Sequence, residues 1–349
     1  MKIGKKFLFL ALLCLSATTS FYAQQKINIK IASIAPSRSP WDVEQRKLAE
    51  EWNRITKGQV NMQFYDTTAL GGELSVIQKL RAVRPGQKSP LDGAIFTNIG
   101  IYELAPESGI FTMSVPFLFR NTDELNYVLD SLGPQMSKTV EDKGYKILAW
   151  FNVGWITFFS KDKVTSVADL KKVRMCAGGL DAAEINNAFK DAGYLIDEVP
   201  ADRILTSLQS NSGLTGFYSI PMYAYATQYS KHVGYVLDMR VCPVMTALVV
   251  SQKVWDSIPE QYKPEMMEAV KKAENVFLLT ERKQNDDYMS LMEKDGLNRV
   301  KVSPADAKKW ESEFLADVPK MYKRPDSAIN EKFYNQVEDM LAKYRSGKK

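Results

Sequence analysis

Apolar residues along this chain follow two rhythms, one of period two and one near 3.6, and the switches between them mark its elements. INIKIASIA, from Ile27, alternates with period two and predicts a strand that ends in a loop holding Pro36 and Pro40. Ser39 stands where a helix cap is wanted, with Pro40 and Asp42 in the first turn behind it. That helix should turn Val43, Leu48, Trp52 and Ile55 inward and stop at Gly58. VNMQFY predicts the next strand, with Val60, Met62 and Phe64 on one face. A second helix covers about Glu73 to Val83, and the strand LDGAIF follows the loop RPGQKSP. This β-α-β-α-β order predicts a mainly parallel sheet with right-handed crossovers, whose ligands bind beyond the carboxyl ends of its strands.

Tyr145 to Ser160 reads as two strands joined near Gly154, where the chain should cross between domains. A second alternating series follows. Val173, Arg174 and Met175 form a short apolar-flanked strand that runs into Gly178-Gly179 and a helix from Asp181 to Ala192. Then come the strand YLIDEV, a helix from Ala201 to Ser210, the strand GLTGFY and a helix from Pro221 to Lys231. VCPVMTALVVS, rich in β-branched residues, should return to the first sheet, with Met239 to Met245 as the second crossing. On this reading no single continuous sheet contains both Phe64 and Phe217. Glu265 to Asp295 has neither Gly nor Pro, and at 1.5 Å per residue it spans ~45 Å, longer than one small domain needs. Val270, Val276, Phe277, Leu279, Met289 and Met292 should supply its apolar contacts, and helices from about Pro304 and Pro325 close the chain.

Residues 1–23 read as an export signal: Lys2, Lys5 and Lys6, then an apolar run from Phe7 to Leu15 too short to span a membrane. Cys14 offers a second reading as a lipoprotein cysteine, although Leu13 before it is larger than a lipobox prefers. Losing those three lysines lowers the formal charge from +5 to +2, a near-balanced surface and no footprint for nucleic acid. Two cysteines remain, Cys176 and Cys242, which an oxidising compartment permits to pair but which read better as buried thiols.

Little of this sequence suits catalysis. His232 is the only histidine, no Cys/His spacing suits zinc, and no GxSxG, Walker or GxGxxG motif occurs. No cofactor is called for. Arg174 is the side chain that suggests binding: its planar fork of donors, at a handover from strand to helix, can grip a carboxylate beside free helix amides. A surface arginine or an interdomain ion pair fits the same position.

Several stretches resemble, in order, the landmarks of the DctP-type solute-binding subunits of TRAP transporters. SRSPW (Ser37 to Trp41) opens the first helix, ALGGELSVIQKL (Ala69 to Leu80) resembles an LG-acidic helix start, and VPFLFR (Val115 to Arg120) resembles a P-F-L-F turn. SVADLKKVR resembles the family's D-L-K-G-hydrophobic-K-hydrophobic-R, in a version two residues shorter, and LQSNSGLTG its A-L-Q-T-G-x-x-D-G. SQKVWDSIPEQYK (Ser251 to Lys263) resembles the small helix that leads into a long one. The resemblance implies an α/β, two-domain periplasmic-binding-protein-like fold with hinge strands and a long helix bracing both domains. It divides the chain into 24–152 plus 242–262, then 153–241, then the brace and C-terminal helices over 263–349. It also implies a periplasmic location, an organic-acid ligand in an interdomain cleft, a membrane permease as partner, and Arg174 at the substrate-carboxylate arginine.

Departures from the family pattern shape the expected ligand. Ile156 replaces a second arginine, and Thr215 to Pro221 replace the D-G-x-E-N-P run, leaving Phe217, Tyr218 and Ser219 where an acid and an amide are usual. With Phe158, Phe159 and Tyr223 these residues suit an amphipathic monocarboxylate, its charge on Arg174 and its body on aromatic surface; Trp41 and Asn98 complete the expected site. Relatives that work with a helical-repeat periplasmic partner are thought to bind apolar ligands, and this chain could join them. A ligand sensor or partner-binding scaffold on the same fold is the alternative. A hydrolase or isomerase would rest on the one histidine.

Overall fold

The computed structural model describes residues 26–82, 89–178, 183–210 and 212–347; the expected leader over 1–23, with Cys14, lies outside them. The first half holds β1 (Ile27–Ser33), α1 (Pro40–Ile55), β2 (Val60–Asp66), α2 (Gly72–Arg81), β3 (Gly93–Thr97), α3 (Asn98–Leu104) and α4 (Thr122–Glu141). β4 (Tyr145–Ser160) leads to a second half of α5 (Val167–Leu170), β5 (Arg174–Cys176), α6 (Ala183–Asp191), β6 (Leu195–Ile196), α7 (Ile204–Gln209), β7 (Gly216–Ser219), α8 (Pro221–Ala226) and β8 (Tyr235–Asp238). β9 (Cys242–Ser251) returns to the first half, followed by α9 (Gln252–Ser257), α10 (Lys263–Lys294), β10 (Asn298–Lys301), α11 (Pro304–Leu315), α12 (Val318–Tyr322) and α13 (Glu331–Gly347).

The strands run in the order β2-β1-β3-β9-β4-β7-β5-β6, with β8 against β4 and β10 against β8. β1 lies parallel to β2 and β3, and β5 lies parallel to β6 and β7. β9 is antiparallel to both β3 and β4, so the returning strand joins the first sheet as the residue pattern requires. Two expectations fail at β4. It is one strand of 16 residues, not two, and through it a single hydrogen-bonded path contains both Phe64 and Phe217. Tyr145 to Ile156 pair with β9, while Thr157 to Ser160 pair with β7. Gly154 bends the strand without ending it: its φ of 144° is one that side-chain-bearing residues rarely adopt, and the register with β9 shifts between Asn152 and Trp155.

Burial explains why these elements hold. Ser39 caps α1, its hydroxyl accepting from the Asp42 N–H at 3.2 Å. Leu48, Trp52 and Ile55 pack on Ile29, Ile31 and Met62, together with Met266 and Val270 of α10. Val43, expected inward, is instead 44 % exposed, because the buried stripe of α1 runs through Trp41, Gln45, Leu48 and Trp52. α10 has 32 residues and touches α1 and β4 of the first half and α8 of the second, so it braces both halves. Only one stripe of such a helix can face the protein, and Leu279, expected to pack, is 78 % exposed. Cys176 and Cys242 are both buried, as thiols and not as a disulfide.

Candidate functional site

Between the halves, at the carboxyl end of β3, lies a cavity of about 40 Å³. Thr97 caps α3, its hydroxyl accepting from the Ile99 N–H at 3.2 Å, and so fixes Asn98 as the first residue over the cavity. Phe111, Ser114 and Pro116 enter from the segment between α3 and α4. Ile156 and Phe158, two apart on β4, share the face toward it, and Phe189 of α6, Tyr218 of β7 and Val241, Cys242 and Val244 close it. None of the described residues lining this cavity is charged. The Asn98 amide donates to Ser114 Oγ at 3.5 Å, and that hydroxyl donates to the Pro243 carbonyl at 3.2 Å. Asn98 Oδ1 is buried with no hydrogen-bond partner among the described residues. Tyr218 Oη reaches Asn186 Oδ1 at 3.4 Å, and burial pushes the Cys242 thiol up to about 12.

Asn98, Ile156, Phe158 and Tyr218 are thus brought together; the other residues expected at the site, Phe159 and Tyr223 among them, do not line the cavity. Phe217 precedes Tyr218 on a strand and so faces the opposite way, stacked on Phe159 with ring centroids 4.6 Å apart. Ser219 is buried, its hydroxyl 3.5 Å from the Gly178 carbonyl. Trp41 lines a separate apolar cavity with Gln45, Thr246 and Phe277. Arg174 opens β5 at its amino end, and its half-exposed guanidinium pairs with Asp197 at 3.0 Å. Ligands collect at the other end of such strands. Counting the family motif without a gap from Asp169-Leu170-Lys171 explains this placement, since it sets Arg174 at the motif's lysine and Cys176 at its arginine.

Two residues that do not line the cavity, Phe117 and Glu73, fix the segments that do. The turn in VPFLFR holds Phe117 at φ 61°, in the left-handed region, with its N–H on the Val241 carbonyl at 2.6 Å. That bond pins the segment after Ser114 and Pro116 against the approach to β9. Glu73, in the first turn of α2, accepts from both the backbone and the hydroxyl of Thr97, one residue before Asn98. Burial pushes its carboxyl up to about 7 in spite of those hydrogen bonds.

A family model, DctP, bacterial extracellular solute-binding protein family 7, matches residues 31–325. A solute-binding protein of Roseobacter denitrificans is 22 % identical over 84 % of this chain and 88 % of its own length. Among solved structures, a TRAP periplasmic solute-binding protein of Ochrobactrum anthropi, with its C-terminus bound in the ligand pocket, superposes with a TM-score of 0.79 at 17 % identity, covering 93 % of this chain and 97 % of that one. Another, from Sulfurospirillum deleyianum with bound succinate, gives 0.76 at 18 % identity, covering 90 % and 99 %. At these identities the likeness to the solved structures is one of fold, the two-domain periplasmic-binding-protein fold, whereas the family match spans most of the sequence. The chain therefore belongs to the DctP family, bacterial extracellular solute-binding protein family 7, to which the landmarks from Ser37 to Lys263 pointed.

Proposed function

We propose that this protein is the periplasmic solute-capturing subunit of a TRAP-type transporter, and that its solute is an organic acid with an apolar body, delivered to a membrane permease. The uncharged cavity lined by Ile156, Phe158, Phe189 and Tyr218 carries this reading. A succinate of the kind bound to the Sulfurospirillum protein would bring two charges into a pocket without a lining cation. Each unpaired buried polar group costs roughly 1–3 kcal/mol, and an unpaired charge more. A monocarboxylate brings in one charge instead of two, its single polar end set on the Asn98 and Ser114 donors and its apolar tail against the aromatic rings. Half a turn of the Asn98 amide presents its NH2 to a carboxylate oxygen, and the unturned amide accepts from a hydroxyl.

At about 40 Å³ the cavity has room for water but not for such an acid, so loading requires the halves to part, with β4 and β9 as the crossings that bend. Differential scanning fluorimetry against phenylacetate, octanoate, succinate and galactonate tests the ligand class, because a ligand of the folded state raises the melting temperature by mass action. Phenylacetate or octanoate should raise it and the other two should not. Tight binding of succinate or galactonate would overturn the apolar-body reading while leaving the family assignment intact.

A further inference from the structure

β4 has a second face. Trp155 and Thr157 alternate with Ile156 and Phe158 and line a different chamber, of about 250 Å³, between β4, β8 and the brace α10. Arg240 enters this chamber with its guanidinium 5.7 Å from the centre of the Trp155 ring, and among the described residues it has no carboxylate partner. Trp155 is 1 % exposed, yet its indole Nε1 is buried with no acceptor among the described residues. Arg299 lines the same space: its Nη2 meets Asp238 at 2.7 Å, while its Nε is a second buried donor without a partner among the described residues. Donors are therefore in surplus. Asp238, the least exposed acceptor here, is taken by Arg299, and the more exposed Asp286 and Glu293 lie 3.8 and 3.9 Å from the same guanidinium.

We propose that this chamber is a second binding site, for a small oxyanion (carboxylate or phosphate) held by Arg240 and the Trp155 indole N–H. Two acceptor oxygens on one charged group match an arginine fork and a neighbouring N–H, and they satisfy donors that are otherwise left dry. Asn285 of α10, whose amide can donate, also lines the chamber, so an anion there ties the brace to the second half without entering the cleft.

Calorimetric titration of the full chain with malonate and, separately, with phosphate tests the site. At least one should bind saturably, and which one does identifies the source of the oxyanion. Arg240→Gln and Trp155→Phe, the latter keeping a ring but losing the N–H, should each weaken that binding about tenfold or more. Asn98→Ala, in the cleft, should leave it unchanged. The proposal is overturned if neither anion binds saturably, if Arg240→Gln binds as the parent does, or if Asn98→Ala alone abolishes binding and so moves the anion to the cleft. These outcomes are read independently of any cleft ligand.

Discussion

The Glu73 carboxylate accepts two hydrogen bonds of 2.6 Å from Thr97, one from its backbone N–H and one from its hydroxyl. The pair ties the start of α2 to the end of β3, next to Asn98. Burial lifts the Glu73 carboxyl from the usual 4.5 to about 7, so between those values the folded state keeps a proton that the unfolded chain has lost. Its contribution to stability is full below about pH 4.5 and is lost as pH rises through about 7, by a few kcal/mol at most. Glu73→Gln should remove that fall. Denaturant unfolding at several pH values between 4.5 and 7.5 checks it; parallel curves for parent and variant would refute the assignment.

Arg174→Ala should leave the affinity for any cleft ligand unchanged and cost less than about 1 kcal/mol, because its pair with Asp197 is half in solvent. Calorimetry with whichever acid the fluorimetric panel selects decides this. A large loss of affinity would restore Arg174 to the site.

Trp52→Phe should cost roughly 1–2 kcal/mol. The Trp52 Nε1–H donates to the Met266 carbonyl at 3.1 Å, inside a core where that carbonyl has little access to water. Hydrogen exchange should show the loss along the first turns of α10, where the brace meets α1. Uniform loosening of the whole chain would argue against so local a role.

Arg345 of α13 forks onto Glu124 at 2.7 and 2.9 Å and also reaches the Leu118 carbonyl. Burial tends to raise the Glu124 carboxyl, but Arg345 and the Arg120 N–H outweigh it and hold it below the ordinary value. A lowered folded value means stability that is present at neutral pH and lost as pH falls through that value. Arg345→Ala should cost roughly 2–3 kcal/mol at pH 7, since it strands a buried carboxylate, and much less at pH 3. Thermal melts at the two pH values separate this from a simple packing defect.

The parallel half was readable from sequence because its strands alternate cleanly and its first helix carries a Ser-Pro start, signals that act over a few residues. β4 was not. Gly154 looks like a break in a linear reading, and only the partners on either side, β9 and β7, keep the strand going. The cleft was half readable: the period of two that puts Ile156 with Phe158 also forbids Phe217 and Tyr218 from facing one way. Arg174 lies apart from the cavity because the motif's register, counted from Asp169, sets its arginine position at the buried Cys176. Ser114, Phe189 and Val241 come together only through tertiary packing, and no local pattern announces them.

The place of β9 between β3 and β4 bears on the timing of assembly. β4 leaves the first half at Ser160, but the strand that joins it to β3 is not complete until Ser251. A chain emerging amino end first must therefore hold β4 without its neighbour while the entire second half is made. The earlier portion cannot close its sheet alone. A fragment ending before Cys242 should be trapped by chaperones or proteases, and native structure should arise late and in both halves at once.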